Sequence, residues 1–180
     1  MTEIETERLR LRPLEMSDLD GVHVFHRDPR MRRYIGDGHP LTIGESRRWL
    51  KGHVDGWKEL GYGFFAVELR SSSRFIGWFG LNKIRDRPDL DGEVEIGGSI
   101  DPDLWRSGLA TEGAREVLNH GFTQLGLERI IARYRSDNSA SAVVVEKIGM
   151  HFWKEVPHLD LPEKTIMIWE MYSPTPHRKS

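Results

Sequence analysis

The stretch Ile100-Asp-Pro-Asp-Leu-Trp-Arg-Ser-Gly-Leu-Ala-Thr-Glu-Gly-Ala114 decides how the rest of the chain reads. Before it, Glu93 to Ile100 has strand character. After it, Thr111 to Leu125 places Ala114, Val117, Leu118, Phe122 and Leu125 on one helical face, and Gly126 ends the helix. The join is a turn containing Gly108. The first N–H groups of a helix have no internal acceptor, and the aligned peptide dipoles add partial positive charge there. An anion is therefore stabilised without a lysine. Gly108 and Ala110 keep side-chain bulk away from that backbone. The turn predicts a seat for a phosphate or pyrophosphate, the alternative being an ordinary strand-to-helix connection.

Working outward, Leu9 to Arg12 alternates as a half-buried strand and Pro13 ends it. Ser17-Asp-Leu-Asp20 supplies a capping pattern for a helix that runs to the Asp28-Pro29 break, with Leu19, Val22 and Phe25 or His26 sharing a face. Thr42-Ile-Gly-Glu45 is a capping box, and the helix it opens carries Trp49, Leu50, His53, Val54, Trp57 and Leu60 before Gly61. Gly63 to Glu68 and Arg74 to Leu81 form a hairpin around Ser71 to Ser73, and a polar loop, Arg85 to Gly92, leads into the Glu93 strand. Within that strand, Gly97-Gly98 predicts a bulge that splays it. Arg129 to Arg135 is the next strand. A helix capped by Asn138 and closed by Gly149 follows, then strands over Phe152 to Val156 and Thr165 to Met171.

At 180 residues the chain reads as one α/β domain, long enough to bury roughly 70% of the surface its unfolded form exposes. A net charge of −2 gives no reason to expect nucleic acid or an anionic membrane as partner. There is no cysteine, so disulfides, thiolate catalysis and Cys-based metal sites are excluded. His23 and His26 have no third ligand at metal-site spacing, and no metal is expected. The charged N-terminal segment and the lack of any run near 18 apolar residues predict a cytoplasmic protein. Ser173 to Ser180 reads as a disordered tail.

The turn resembles motif A of the GNAT superfamily of acetyl-CoA-dependent N-acetyltransferases, a Gln/Arg-x-x-Gly-x-Gly/Ala loop, here Trp105-Arg106-Ser107-Gly108-Leu109-Ala110. Trp105 departs from the Gln or Arg of many members but is familiar in the subgroup resembling the ribosomal-protein N-terminal (alanine/serine) acetyltransferases. Downstream, Asn138-Ser-Ala-Ser-Ala-Val-Val-Val-Glu-Lys-Ile-Gly-Met150 is similar to that subgroup's Asn-x-x-Ser-x-x-x-x-Glu-Lys-x-Gly-Phe signature, with Met150 replacing the aromatic. The order βααβββαβαββ is that of the GNAT fold, so the resemblance implies residues 1–172 as a single domain: a mixed, mostly antiparallel sheet flanked by about four helices, with a splayed central strand. It implies that Ile100, Arg106, Ser107, Gly108, Leu109, Ala110, Thr111, Asn138 and Ser141 hold acetyl-CoA. Many members place a tyrosine acid where this chain has Val145, so Ser141 becomes the candidate beside the coenzyme sulfur. The alternative is that Asn138 only caps its helix and Ser141 only sits in the first turn.

An amine attacks a thioester only when unprotonated; an α-amine titrates at about 7.7 to 8.0 and a lysine near 10.4. A peptide N-terminus therefore needs modest help, which a nearby carboxylate supplies directly or through water. Glu95 is the first choice, because it matches the subgroup's Glu-Ile/Leu-Gly strand, and Glu93 the reserve; the alternative is a solvated, charged sheet face. The expected activity is direct acetyl transfer to a primary amine in a ternary complex, by a monomer or homodimer, with a protein or peptide α-amine as favoured acceptor. Competing readings are a small-molecule amine such as a polyamine, amino acid or aminoglycoside, and a coenzyme A-binding protein without turnover. Trp49, Trp57, Trp78 and Phe79 either line an acceptor pocket or belong to the core.

Overall fold

The computed structural model of the chain describes residues 3–174. Its strands are β1 (Ile4–Glu5), β2 (Leu9–Pro13), β3 (Phe64–Leu69), β4 (Phe75–Lys83), β5 (Val94–Ile100), β6 (Arg129–Arg135), β7 (His151–Pro157) and β8 (Thr165–Tyr172). Its helices are α1 (Leu19–Arg27), α2 (Pro29–Arg32), α3 (Ile43–Leu60), α4 (Leu109–Thr123) and α5 (Ser139–Lys147). The strands form one eight-stranded sheet in the order β1-β2-β3-β4-β5-β6-β8-β7. Every neighbouring pair is antiparallel except β5 with β6.

Alternation along the strands sorts the core into two faces. Phe65, Val67, Phe79, Leu81, Ile96 and Ile100 bury against Val117, Leu118 and Phe122 of α4. On the opposite face, Ala66 and Trp78 pack beneath Leu19, Val22 and Phe25 of α1 and Leu50 of α3. Farther along, Ile84 and Leu90 of the 84–93 loop cover Ile131 and Ile168. Both ends of α3 follow the sequence signals. Thr42 Oγ1 accepts from the Glu45 N–H at 3.3 Å, the Thr42 N–H donates to Glu45 Oε2 at 2.8 Å, and Gly61 closes the helix at φ 75°.

Two elements were not foreseen. β1 is two residues long, too short for any period, and exists because Ile4 and Glu5 pair with Leu11 and Arg10. α2 turns the expected break into one helical turn, with Asp28 Oδ1 accepting the Arg30 N–H at 2.8 Å and Pro29 preset for the first helical position. The capping box before α1 is made by Glu15 and Asp18 rather than by Ser17. α4 opens at Leu109, two residues before the expected Thr111, because Gly108 itself is the cap, at φ 84°. Of the tail expected over Ser173 to Ser180, residues 175–180 lie outside the described residues, and the Ser173 N–H donates to Glu128 O at 2.9 Å.

The central strand opens differently from the expected bulge. β4 and β5 stay in continuous register from Gly77↔Ile100 to Lys83↔Val94, straight through Gly97-Gly98. A Cβ at Gly98 would lie 2.1 Å from Phe79 Cδ1 and 2.5 Å from Trp78 O, so this glycine serves close approach between strands. The opening lies on the other side: β5 and β6 pair only at Glu95↔Ile131 and Ile96↔Ala132, although the strands run on to Ile100 and Arg135. The sheet forks there.

Candidate active site

The turn that ends one arm of the fork begins with a short 3-10 helix, Pro102–Leu104, fixed by Asp101 Oδ1 accepting the Asp103 N–H at 2.9 Å. Trp105 holds the turn to the strand: its indole Nε1–H donates to Ile100 O at 2.8 Å while the ring stays 46% exposed. Arg106 (φ 64°) and Gly108 (φ 84°) adopt left-handed backbone on either side of Ser107. The N–H groups of Leu109, Ala110 and Thr111 form the first turn of α4, and none has an acceptor among the described residues. Such an array, at a positive helix end with left-handed residues before it, suits a pyrophosphate. Arg106 and Ser107 are exposed, whereas the side chains of Leu109 and Ile100 are buried in the core. A groove of about 500 Å³ adjoins the turn, lined by residues that include Arg8, Gly108, Thr111, Arg115 and Lys147.

Glu95 stands at the first of the two rungs, one residue before the strands part at Ile96. Arg133, from the facing strand, grips both its oxygens, Nε–H to Oε2 at 2.7 Å and Nη2–H to Oε1 at 2.9 Å. The two side chains are only 16% and 17% exposed, so the pair is partly desolvated rather than a surface ion pair. Burial alone would lower the Arg133 pKa, but Glu95, followed by Asp86 at 3.3 Å, outweighs it and raises the value. The reserve carboxylate is held by one oxygen, Glu93 Oε1 accepting from Arg129 at 3.0 Å, and Arg129 also pairs with Glu170 and lies over the Trp153 ring. Both carboxylates point away from α4, while their neighbour Ile96 packs beneath it.

On the other arm, Asn138 caps α5, its Oδ1 accepting the Ser141 N–H at 3.2 Å. Ser141 is half-buried, and its hydroxyl has no hydrogen-bond partner among the described residues. Val145 is packed into the core cluster. Near α1 and α2, Arg135 donates to Arg33 O at 3.0 Å and to Asp137 at 3.0 and 2.7 Å, and Lys164 reaches Asp137 at 3.1 Å.

Of the aromatics, Trp78 and Phe79 are core, and Trp57 ties α3 to β3 through Nε1–H to Phe64 O at 2.8 Å. Trp49 is half-buried against His53 and Phe64, and Phe64 lies beside Gly97 on the carboxylate face. His23 and His26 both turn Nδ1 toward Ser46 Oγ, at 3.0 and 3.1 Å.

Two groups of site residues had no local sequence signal: Arg133, which grips Glu95, and Thr6 with Arg8, which meet Glu112 at the anion turn.

Residues 8–151 match the family model of the acetyltransferase (GNAT) domain. The chain is 30% identical over 152 residues to the uncharacterized N-acetyltransferase YoaA of Bacillus subtilis (strain 168), covering 84% of this chain and 83% of that one. It is 25% identical over 150 residues to the spermidine N(1)-acetyltransferase of Escherichia coli (strain K12), covering 83% and 76%. Among solved structures, the ribosomal-protein-S5-alanine acetyltransferase from Vibrio fischeri superposes with a TM-score of 0.79 over 97% of this chain and 98% of that one, at 18% identity, a likeness of fold. With its forked sheet and its unpaired helix N–H groups at the turn, the chain belongs to the GNAT family of acyl-CoA-dependent N-acetyltransferases.

Proposed function

We propose that this protein transfers the acetyl group of acetyl-CoA to a primary amine by direct attack, and that a protein or peptide α-amine is the favoured acceptor. The fork between β5 and β6 carries this reading, because it sets the unpaired N–H groups of α4 on one side and Glu95 at its base. The donor set fits a pyrophosphate: Leu109, Ala110 and Thr111 offer backbone N–H groups, and exposed Arg106 adds a cation. No cysteine exists to form an acyl-enzyme thioester.

In this scheme Glu95 takes a proton from the bound ammonium, directly or through one water. Arg133 occupies one lone pair on each of its oxygens, and each oxygen retains another. The neutral amine then attacks the thioester carbonyl, the C–S bond breaks with its electron pair on sulfur, and the proton lost by the new amide nitrogen passes to that thiolate, directly or through water, while Ser141 donates a hydrogen bond to the departing sulfur. A thiol titrating near ~8.5, by analogy with cysteine, leaves with little further protonation, so the serine's part is moderate.

Charge favours an α-amine over a polyamine. Cations nearly balance the carboxylates around the base of the fork: Glu93 and Glu170 share Arg129, Glu95 and Asp86 share Arg133, and Asp137 has Arg135 and Lys164. Among these described residues five acids face four cations, which leaves one excess negative charge, enough for a single ammonium but not for a polycation. A thiol-release assay with alanine- and serine-initiated peptides, spermidine, amino acids and aminoglycosides tests the reading. The peptides should give the highest kcat/KM; a higher value for spermidine would overturn the acceptor assignment, and no thiol release with any amine would overturn transfer itself.

A further inference from the structure

Glu112 is an awkward residue for an anion site. It lies in the first turn of α4, beside the N–H groups read as the pyrophosphate seat, and a free carboxylate there would repel a ligand of the same sign. Its oxygens are fully engaged by the segment between β1 and β2. Thr6 Oγ1–H and the Arg8 N–H donate to Oε1, and Arg8 Nε–H donates to Oε2 at 2.7 Å with Nη2 at 2.6 Å. The remaining arm of the same guanidinium, Nη1–H, donates to Ser107 O at 2.9 Å, inside the turn. One side chain thus neutralises the acid and ties down a loop carbonyl.

We infer that Arg8 is a positioning residue for the coenzyme turn: it cancels the charge of Glu112 and fixes Ser107 O, so that the turn offers N–H groups and not negative charge to the pyrophosphate. The assignment rests on the coenzyme reading above. Its character is electrostatic as well as geometric, which separates it from a role in folding alone. If Arg8 acts by cancelling Glu112, then removing the charge of Glu112 must repair much of what is lost with Arg8.

The test is calorimetric binding of acetyl-CoA and of S-acetyl-pantetheine, which lacks the pyrophosphate and nucleotide, to wild type, Arg8→Met, Arg8→Lys, Glu112→Gln and the Arg8→Met/Glu112→Gln double variant. Arg8→Met should raise Kd for acetyl-CoA about tenfold, the scale of a lost charged hydrogen bond with an acid left unpaired. Its affinity for S-acetyl-pantetheine should not change. Arg8→Lys, which keeps the charge but not the fork, should fall between; it remains informative if the methionine variant fails to fold. The double variant should recover most of the acetyl-CoA affinity.

Equal losses for both donors, no loss in Arg8→Met, or a double variant as weak as Arg8→Met would each overturn the inference while leaving the coenzyme reading intact. Wild-type protein that does not bind acetyl-CoA would overturn both.

Discussion

Replacing Gly108 separates backbone strain from ligand contact. The residue sits at φ 84°, where a side chain costs about 1–2 kcal/mol, since Cβ crowds the following carbonyl. A Cβ added there would meet nothing nearer than Arg8 Nη2 at 3.4 Å, so no clash of an Ala methyl within the protein adds to that cost. Gly108→Ala and Gly108→Val should therefore both fold, with Tm lowered by about 2–8 °C for a chain of this size, Val at the upper end. Binding should split them. The bulk of a Val side chain at the mouth of the turn should raise Kd for acetyl-CoA about tenfold or more, the scale of an unmade charged hydrogen bond. The single methyl of Ala should cost less. Differential scanning calorimetry and titration calorimetry give the two quantities on the same samples. A folded Gly108→Val protein with wild-type affinity would refute the anion seat, and an unchanged Tm in Gly108→Ala would refute the left-handed cap.

Glu95→Gln should lower turnover by ~10²-fold or more, most clearly at acidic pH where more acceptor is protonated, with acetyl-CoA affinity kept. It should also cost about 1–3 kcal/mol in urea unfolding, because Arg133 keeps only Asp86; equal rates across pH would remove Glu95 from the mechanism. Ser141→Ala should bind acetyl-CoA normally and lose roughly 1–3 kcal/mol of transition-state stabilisation, and wild-type kcat with chemistry rate-limiting would leave it a neighbour of the cap. Burial holds the pKa of His26, helped by Arg32, His23 and His53, and that of His53 down to about 4 against 6.5 in the unfolded chain. Between pH 6.5 and 4 the unfolded state binds more protons, so this stability is complete above 6.5 and lost on acidification. Each ring contributes about 3 kcal/mol at full burial and about 1–2 kcal/mol after solvent screening. Thermal melts should fall through that window, and His53→Phe, which keeps the stacking on Phe64, should flatten the fall; a pH-independent Tm would refute it.

What the sequence made legible was local. The Thr42/Glu45 box, the Gly108 turn and the Asn138 cap each involve groups within a few residues of one another, and each forms as read. What stayed hidden depends on distance along the chain. Arg133 reaches Glu95 across 38 positions, and the Arg8 N–H meets Glu112 across 104, so no spacing rule signals either pair. Gly97-Gly98 was misread for another reason. A glycine in a strand signals either a bulge or a close approach, and only the position of Phe79, on the neighbouring strand, chooses between them.

The fork also changes what kind of solid the sheet is. With the ladder between β5 and β6 limited to two rungs, the hydrogen-bonded network is one five-stranded ribbon and one three-stranded ribbon joined like the covers of a book at a short spine. Antiparallel ladders stiffen each cover internally. Their mutual angle is set instead by side chains: α4 packed across Leu81, Ile96 and Ile130, the 84–93 loop over Ile131, and the ion pairs at the spine. Such contacts yield through small shifts without breaking a backbone bond. The width of the slot can thus adjust while each half keeps its shape.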